Sequence, residues 1–379
     1  MPSIRIKAAA VLLIAVAASS ARIAHAAPTA PDAVAEVAAK AHEAGRFDGL
    51  IVLDRGNTRL YSGRFGDADR ATHRPHTTDE RWRWASITKQ VTAVLVMQQV
   101  ERGRLRLDDV LADALPGFGT PAIAAITLRQ LLQHTSGLAN PDDTPTNAAG
   151  VPSFYRGATM AGHPVPGVCA GPMKHAAGER FDYNNCDYLV LAAVLERLTG
   201  LSYAAQIERR IAKPLGLKTL APMVASARPA RDRVTGYLAD GRPEPRLDIG
   251  RYGAAGALYG TVDDLLRFDR ALVDGTLLSA SSTDLMWKGE PKFGYVALGA
   301  WSYSAKLARC AAPVDIVERQ GGIGGIHTIN VLAPKQHVVL IAFSNTAATD
   351  WGQVWQGSGL LYDLLDAALC AGAPPADGP

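Results

Sequence analysis

A serine and a lysine three residues apart form the part of this chain that points most directly to chemistry. Ser86 and Lys89 open an apolar run that no glycine or proline interrupts until Gly103, and its spacing of three and four residues predicts a helix. Residues three apart share a helix face, so the hydroxyl and the amine project into the same space. A lysine of lowered pKa can take the proton of a serine. We therefore predict Ser86 as a nucleophile in the first helical turn, against the alternative of a solvated surface lysine.

A tyrosine and an asparagine form a second group, just before the helix predicted to include Tyr188. Tyr183 and Asn185 lie two residues apart. A phenol beside an ammonium shifts toward phenolate and can act as a base, and an amide can orient a lysine or bind a substrate carbonyl. The alternative is an ordinary turn, because Asn-Asn pairs are common in turns.

A glycine-rich stretch, 319–325, ends the strand predicted from Asp315. Small residues let a substrate lie along a strand edge, where backbone N–H groups are free to donate. A flexible turn is the competing interpretation.

The histidines give no sign of a catalytic or metal-binding role. His134 and Gly137 mark a helix end with a glycine cap, so we expect His134 to be structural. The histidines show no metal-ligand spacing, and neither G-x-S-x-G nor a phosphate-binding loop occurs, so we predict no metal and no cofactor.

The composition indicates a large globular chain without nucleic-acid partners. It has 379 residues, of which 48% are hydrophobic and 20% charged, with a net charge of +3. Basic residues are scattered and no basic run alternates with aromatic residues, which argues against nucleic-acid binding. The expected partner is a small-molecule or peptide substrate that carries an acyl group. The oligomeric state stays open.

The N-terminus predicts a signal peptide over residues 1–26. Arg5 and Lys7 precede an apolar core from Ala8 to Ala18, and residues 24–26 read Ala-His-Ala, a cleavage site. We expect a mature chain from Ala27, periplasmic or secreted. No later apolar run is long enough to span a membrane.

Four cysteines fit an oxidising compartment. They allow three pairings, and we favour Cys169–Cys186 and Cys310–Cys370 over the other pairings and over four free thiols. The first pair closes a short loop and would stabilise the fold by roughly 3 kcal/mol.

The remaining patterns predict one antiparallel sheet assembled from both ends of the chain, with a helical region inserted between them. A helix is expected over 31–45, and a hairpin joins strands at 50–53 and 58–61. Residues 104–250 are mostly helical, with the clearest helices at 128–134, 188–198 and 203–212. Strands at 315–319, 327–332 and 338–344 precede a helix over 350–369.

Taken in order, these motifs resemble the serine β-lactamase and penicillin-binding-protein superfamily, closest to its class C β-lactamase-related branch, which includes D,D-peptidases and esterases. The resemblance runs from about residue 40 to 368 and includes 86–89, 107–109, 134–138, 178–185, 255–259 and 343–345. It implies the α+β fold of that superfamily, an α/β sandwich, in a single domain over 27–379. The sheet region would take about 31–110 and 250–370, and the helical region about 111–249.

The resemblance also implies roles. Ser86 would accept the acyl group, Lys89 and Tyr183 would share its proton, and Asn185 would hydrogen-bond Lys89 or the substrate. The backbone N–H groups of Ser86 and Gly322 would form the oxyanion hole.

The third motif departs from the Lys-Thr-Gly or His-Thr-Gly of the family, because this chain has Arg319 and Gln320 there. Arg319 keeps a cation, expected to act on a substrate carboxylate or on an ionised tyrosine, worth very roughly 1–4 kcal/mol at about 4 Å. Gln320 would replace a threonine that contacts the substrate carboxylate; a shift of one residue would turn Gln320 itself to the cleft. These changes favour an esterase-type hydrolase. The alternatives are a β-lactamase or D-alanyl-D-alanine carboxypeptidase, and a non-hydrolytic penicillin-binding or cell-wall-sensing protein.

Overall fold

A six-stranded antiparallel sheet built from both ends of the chain is the centre of the fold. The computed structural model describes residues 29–148, 150–156, 167–223, 233–245 and 247–371, so the predicted signal peptide at 1–26 lies outside the described residues. The strand order is β2-β1-β11-β10-β9-β8. Strand bounds are β1 Gly49–Arg55, β2 Thr58–Phe65, β3 Asp67–Asp69, β4 Arg74–Pro75, β5 Trp82–Arg83, β6 Ala221–Pro222, β7 Leu258–Gly260, β8 Trp301–Ala305, β9 Val314–Ile323, β10 Ile326–Ala333 and β11 Val338–Ser344.

Helices of different lengths pack on the sheet and occur throughout the stretch of chain between β2 and β8. Their bounds are α1 Ala30–Glu43, α2 Thr88–Glu101, α3 Leu111–Ala114, α4 Pro121–Ala124, α5 Leu128–Leu132, α6 Asn185–Thr199, α7 Tyr203–Ile207, α8 Lys213–Leu215, α9 Gly253–Gly256, α10 Val262–Val273, α11 Ala280–Met286 and α12 Leu360–Cys370. A π-helical segment, Glu208–Ala212, joins α7 to α8. In the described ranges no single helix is long and apolar enough to cross a bilayer; α6 and the continuous helical stretch Tyr203–Leu215 reach that length only together, across a 76° bend.

The sheet separates two hydrophobic cores, and β1 shows how. Its residues alternate between faces, so Leu50 and Val52 enter the larger core with α2 and α6, while Ile51 and Leu53 enter the smaller core with α1 and α12. Residues buried on both faces explain why this strand reads as a continuous apolar run. The observed mixture of antiparallel sheet and helices confirms the predicted fold class.

Most individual elements occur within a few residues of their expected bounds, but less than half of the described part of 104–250 is helical, because turns and loops separate its short helices. One further helix is shorter than predicted. The sequence predicted a helix over 350–369, but α12 begins at Leu360. Gly357 and Gly359 have φ of +71° and +109°, values that a helix does not allow. The preceding residues form a loop with one 3-10 turn, Val354–Gln356.

Both favoured disulfides are present. Cys169 pairs with Cys186, and Cys310 pairs with Cys370. The first joins the loop after residue 167 to the first turn of α6, and the second joins the segment between β8 and β9 to the end of α12.

Candidate active site

A strained turn presents Ser86 at the boundary between the sheet and the helical region. Residues Ala85–Ile87 form a 3-10 turn directly before α2. Ala85 has φ of +47°, a left-handed conformation that costs a non-glycine residue about 1–3 kcal/mol and is concentrated at functional sites. Trp84 anchors the turn, since its backbone N–H donates to the Leu258 carbonyl at 2.9 Å. Ser86 therefore lies half-buried just ahead of α2, where the sequence predicted it within the first helical turn.

The Lys89 side chain is fully buried and meets three acceptors. Its Nζ lies 3.2 Å from Ser86 Oγ, 2.8 Å from Asn185 Oδ1 and 2.7 Å from the Ala255 carbonyl oxygen. The pKa of Lys89 is lowered to about 8, mainly by burial; Tyr183 opposes this shift and Arg319 adds to it. A neutral amine that donates to Asn185 and Ala255 has its lone pair left for Ser86.

The Tyr183 hydroxyl lies between Ser86 and a second cation. Its oxygen is 2.6 Å from Ser86 Oγ and accepts a hydrogen bond from Arg319 Nη2 at 2.8 Å. Burial by itself would raise the pKa of Tyr183, but the charges of Arg319 and Lys89 together with hydrogen bonding to Tyr183 outweigh burial and lower it. The cluster thus holds two groups of lowered pKa within reach of one hydroxyl, the arrangement that nucleophilic catalysis needs.

Arg319 is a buried cation that contacts both Ser86 and Tyr183. It is 0% exposed, and its Nε donates to the Ser86 carbonyl oxygen at 3.1 Å. Its Cζ lies 5.1 Å from the ring centroids of both Tyr183 and Trp301. The charge of Arg319 therefore acts on Tyr183 at short range, in a place shielded from solvent.

Gln320 does not join the cluster. Its Nε2 donates to the Gly352 carbonyl at 3.0 Å, on the strand face opposite that of Arg319. Shifting the motif by one residue, which would turn Gln320 to the cleft, therefore does not fit the structure, and a substrate contact from Gln320 has no geometric support.

The glycines after Gln320 let β9 pass close to Ser86. A Cβ at Gly321 would lie 2.8 Å from the Ser86 nitrogen and 2.9 Å from the Trp84 carbonyl oxygen, closer than real Cβ atoms approach. Gly322 follows and is exposed. The backbones of β9 and the nucleophile turn therefore run in contact, as a pair of oxyanion donors requires.

Asn185 is held at the start of α6 by the cap before it and by hydrogen bonds from its own side chain. Asn184 is the N-cap, and its side-chain oxygen accepts from the Cys186 N–H at 2.8 Å. The Asn185 Nδ2 donates to both carboxylate oxygens of Asp142, at 3.2 and 3.1 Å, and to the Tyr155 hydroxyl at 3.0 Å.

Four contributors to the cluster had no role predicted from the sequence: Asp142, Tyr155, the Ala255 carbonyl and Trp301. Asp142 and Tyr155 lie in a loop without hydrophobic periodicity, so no local signal marked them. Ala255 contributes a backbone atom, to which its side-chain type is irrelevant. Across the described ranges, no three side chains of His, Cys, Asp or Glu lie close enough together to hold a metal ion.

His134 packs against the ring of Tyr183 and makes no hydrogen bond to Ser86. Its ring centroid lies 4.5 Å from that of Tyr183, and its Nδ1 is 2.9 Å from Asp187 Oδ2. Burial raises the pKa of Asp187 well above its usual range, and burial together with the charges of Arg319 and Lys89 lowers the pKa of His134 well below its own. Burial therefore disfavours the charged form of both partners.

Comparison with known proteins gives this cluster a family context. The β-lactamase family profile matches residues 34–355. The chain belongs to the β-lactamase family. That membership confirms the expected superfamily and the assignment to the serine hydrolases.

Relatives of the chain are named for several different activities. It is 26% identical to the putative penicillin-binding protein PbpX of Bacillus subtilis, over 84% of this chain and 75% of that protein. Identity to esterase EstB of Burkholderia gladioli is 30%, over 58% of this chain and 63% of that protein. Identity to the D-alanyl-D-alanine carboxypeptidase/endopeptidase AmpH of Escherichia coli K12 is 25%, over 76% of each.

Solved structures share the fold at lower identity. D-amino acid amidase from Ochrobactrum anthropi, in complex with D-phenylalanine, superposes with a TM-score of 0.74 at 21% identity and covers 89% of this chain and 98% of its own. A penicillin-binding protein from Bacillus halodurans superposes with a TM-score of 0.69 at 23% identity and covers 88% and 98%. At these identities the likeness establishes the fold alone.

Proposed function

We propose that this β-lactamase-family protein is an exported serine esterase that forms an acyl-enzyme on Ser86 and prefers acyl substrates without a carboxylate near the scissile bond. The observation that carries the proposal is the burial of Arg319 against Tyr183 and Ser86. It supports a role in which Arg319 lowers the pKa of the base, Tyr183. A β-lactamase or a D,D-carboxypeptidase would instead need a cation that binds the carboxylate of the substrate.

The proposed reaction uses the cluster in two half-reactions. Ser86 Oγ attacks the carbonyl carbon as its proton passes to Tyr183 or Lys89, and the carbonyl electron pair moves onto oxygen. The N–H groups of Ser86 and Gly322 stabilise that oxyanion, which collapses as the alcohol leaves with a proton from the same bases. Water then attacks the carbonyl carbon of the acyl-serine as the same bases take its proton. The bond to Ser86 Oγ breaks, Ser86 recovers a proton from the bases, and the acid is released.

An apolar flank beside Ser86 supports substrates with apolar groups. Its buried members adjoin the nucleophile turn and the end of β9, and half-buried side chains pack against them. The buried members are Ala85, Ile249, Ala257 and Ile323, and the half-buried ones are Met223, Leu247, Tyr252 and Tyr259. Burying an apolar substrate group there would contribute about 25 cal/mol per Å².

Export is part of the proposal. The basic start, apolar core and Ala-His-Ala site at residues 1–26 are those of a signal peptide, and the two disulfides fit an oxidising compartment. We further propose a single domain over 27–379, because the central sheet takes its strands from both ends of the chain.

Two nitrophenyl esters of matched length test the proposal, the butyrate and the hemisuccinate, which differ by a terminal carboxylate. We expect the mature protein to hydrolyse the butyrate at least about tenfold more efficiently in kcat/KM, with both rates lost in Ser86→Ala. Nitrocefin and a D-Ala-D-Ala tripeptide complete the panel. Efficient turnover of either would overturn the esterase assignment, and a preference for the hemisuccinate would overturn the proposed preference for substrates without a carboxylate. Stoichiometric acylation without turnover would favour the non-hydrolytic alternative.

A further inference from the structure

Both ends of the Asn185 amide are in use, and two residues from one loop hold the nitrogen end. Nδ2 donates to Asp142 Oδ1 and Oδ2 at 3.2 and 3.1 Å and to the Tyr155 hydroxyl at 3.0 Å. Oδ1 accepts from Lys89 Nζ at 2.8 Å. Since an amide has donors at one end and an acceptor at the other, these contacts define one orientation of the side chain.

Charge opposes the reversed orientation. Rotating the Asn185 amide by half a turn would place its oxygen against two carboxylate oxygens of Asp142 and its NH₂ group against the Lys89 amine. The first contact is repulsive, and the second would remove an acceptor from a fully buried amine, which costs more than the loss of a surface contact. Asp142 therefore selects the orientation in which Asn185 serves Lys89.

Tyr155 fixes Asp142 even though Asp142 lies at an exposed position. The Tyr155 hydroxyl donates to Asp142 Oδ1 at 2.7 Å. Burial and the Asp142 charge raise the pKa of Tyr155 far above its usual range, so the phenol stays a donor. Its ring stacks on Tyr252 with centroids 3.8 Å apart and planes at 4°. The carboxylate is thus tied to a rigid aromatic pair.

We propose that Asp142 and Tyr155 are positioning residues that hold Asn185 so that the Lys89 lone pair is directed at Ser86. With one Lys89 N–H donated to Asn185 and one to the Ala255 carbonyl, the remaining direction on Nζ faces Ser86 Oγ at 3.2 Å. If Asn185 turns, Nζ keeps only the Ala255 carbonyl oxygen and Ser86 Oγ as partners, and its lone pair is no longer directed at Ser86. This inference rests on the proposed roles of Ser86 and Lys89.

The Asp142 carboxylate also has an electrostatic signature. Its charge raises the pKa of Lys89, against the larger effect of burial. Removing that charge lowers the pKa of Lys89. The acid limb of the pH profile, the range in which kcat/KM rises as the base loses its proton, therefore moves to lower pH. The other titratable groups that face or couple to Lys89 are Tyr183 and Tyr188, His134 and Asp187, and Arg319. None of them changes in an Asp142 variant.

Three variants and a neighbouring control test the inference. In Asp142→Ala we expect kcat to fall about tenfold with KM within about threefold, because the base is misplaced while substrate contacts persist. Asp142→Asn should lose less, since its amide oxygen still accepts from Tyr155 and Asn185. Both should shift the acid limb of kcat/KM to lower pH. Tyr155→Phe keeps the ring stack and should lower kcat without that shift.

The control is Asp143→Asn, the same charge change one residue along. Asp143 forms an ion pair with Lys174 at 2.9 Å, and its substitution should leave kcat and the pH profile as in the wild type. The inference is overturned if Asp142→Ala behaves like this control, or if it changes KM alone, which would make Asp142 a substrate contact. If circular dichroism shows that Asp142→Ala does not fold, Asp142→Asn and Tyr155→Phe test the inference.

Ser86→Ala separates this inference from the proposed function. Activity that survives Ser86→Ala refutes the proposed function itself. Activity lost in Ser86→Ala but unchanged in Asp142→Asn, Asp142→Ala and Tyr155→Phe refutes the positioning role alone.

Discussion

Arg319 and Tyr183 are joined by a 2.8 Å hydrogen bond between a fully buried guanidinium and a phenol oxygen that lies 2.6 Å from Ser86 Oγ. An arginine side chain carries a permanent charge at ordinary pH. A permanent charge beside a phenol stabilises the phenolate, which makes Tyr183 a better base near neutral pH. In the proposed mechanism, Arg319 stands at the family's third motif and supplies a cation to the base.

Replacing Arg319 by Gln should move the pH profile to the alkaline side. Arg319 lowers the pKa of both Tyr183 and Lys89, so its loss raises both values. Whichever group acts as base is then deprotonated only at higher pH, and the acid limb should move up by about 1 unit, or about tenfold in rate at neutral pH. Profiles of kcat/KM on nitrophenyl butyrate check this.

Arg319→Lys is the matched variant. Because it keeps the charge but not the planar pair of donors, its acid limb should fall between those of the wild type and Arg319→Gln. Identical limbs in all three proteins would show that Arg319 does not act on the base.

Ser86→Ala should abolish hydrolysis, with a loss of at least about 10³-fold, because the attacking atom is removed. Esterase rates measure the loss, and intact mass after incubation with a fluorophosphonate measures labelling. Ser304→Ala is the control: Ser304 is exposed on β8, where its hydroxyl donates to Asp315. Activity near wild type in Ser86→Ala, or a fluorophosphonate adduct on it, would refute the assignment.

The local part of the site could be predicted from sequence because helical spacing determines it. Ser86 and Lys89 meet across one turn, and Asn185 stands at a helix start that Asn184 caps. The Arg319 cation could be located as well, because strand alternation left only two registers. Its partner could not be chosen, since carboxylate and tyrosine both suit a guanidinium.

The rest depends on packing that leaves no local pattern. Tyr155 reaches the site because it stacks on Tyr252, a residue 97 positions later, and no periodicity connects the two. The edge strand β8 was missed because its residues are mostly half-buried and do not alternate clearly. The late start of α12 had a signal, Gly357 and Gly359, that the leucine pattern obscured.

Gly321→Ala should impair catalysis by pushing β9 away from the nucleophile turn. The added methyl would lie 2.5 Å from Thr328 Oγ1 and 2.8 Å from the Ser86 nitrogen, so the strand must move. A misplaced oxyanion donor typically costs on the order of 100-fold in kcat. At Gly322 an added Cβ meets nothing within 4 Å, so Gly322→Ala should lose only a few-fold. Measured kcat values that fall equally in both variants would contradict the close approach at Gly321.

Removing the two disulfides should separate stability from activity. The Cys169–Cys186 bond closes a separation of 17 residues and Cys310–Cys370 one of 60, so chain entropy predicts losses in the free energy of unfolding of about 3 and about 4 kcal/mol. Cys186 directly follows Asn185, so the Cys169→Ala/Cys186→Ala variant should also lower kcat, while Cys310→Ala/Cys370→Ala should keep it. Denaturant unfolding and kcat, measured where both variants are folded, check this. A larger kcat loss in the Cys310→Ala/Cys370→Ala variant would show that the first disulfide does not brace Asn185.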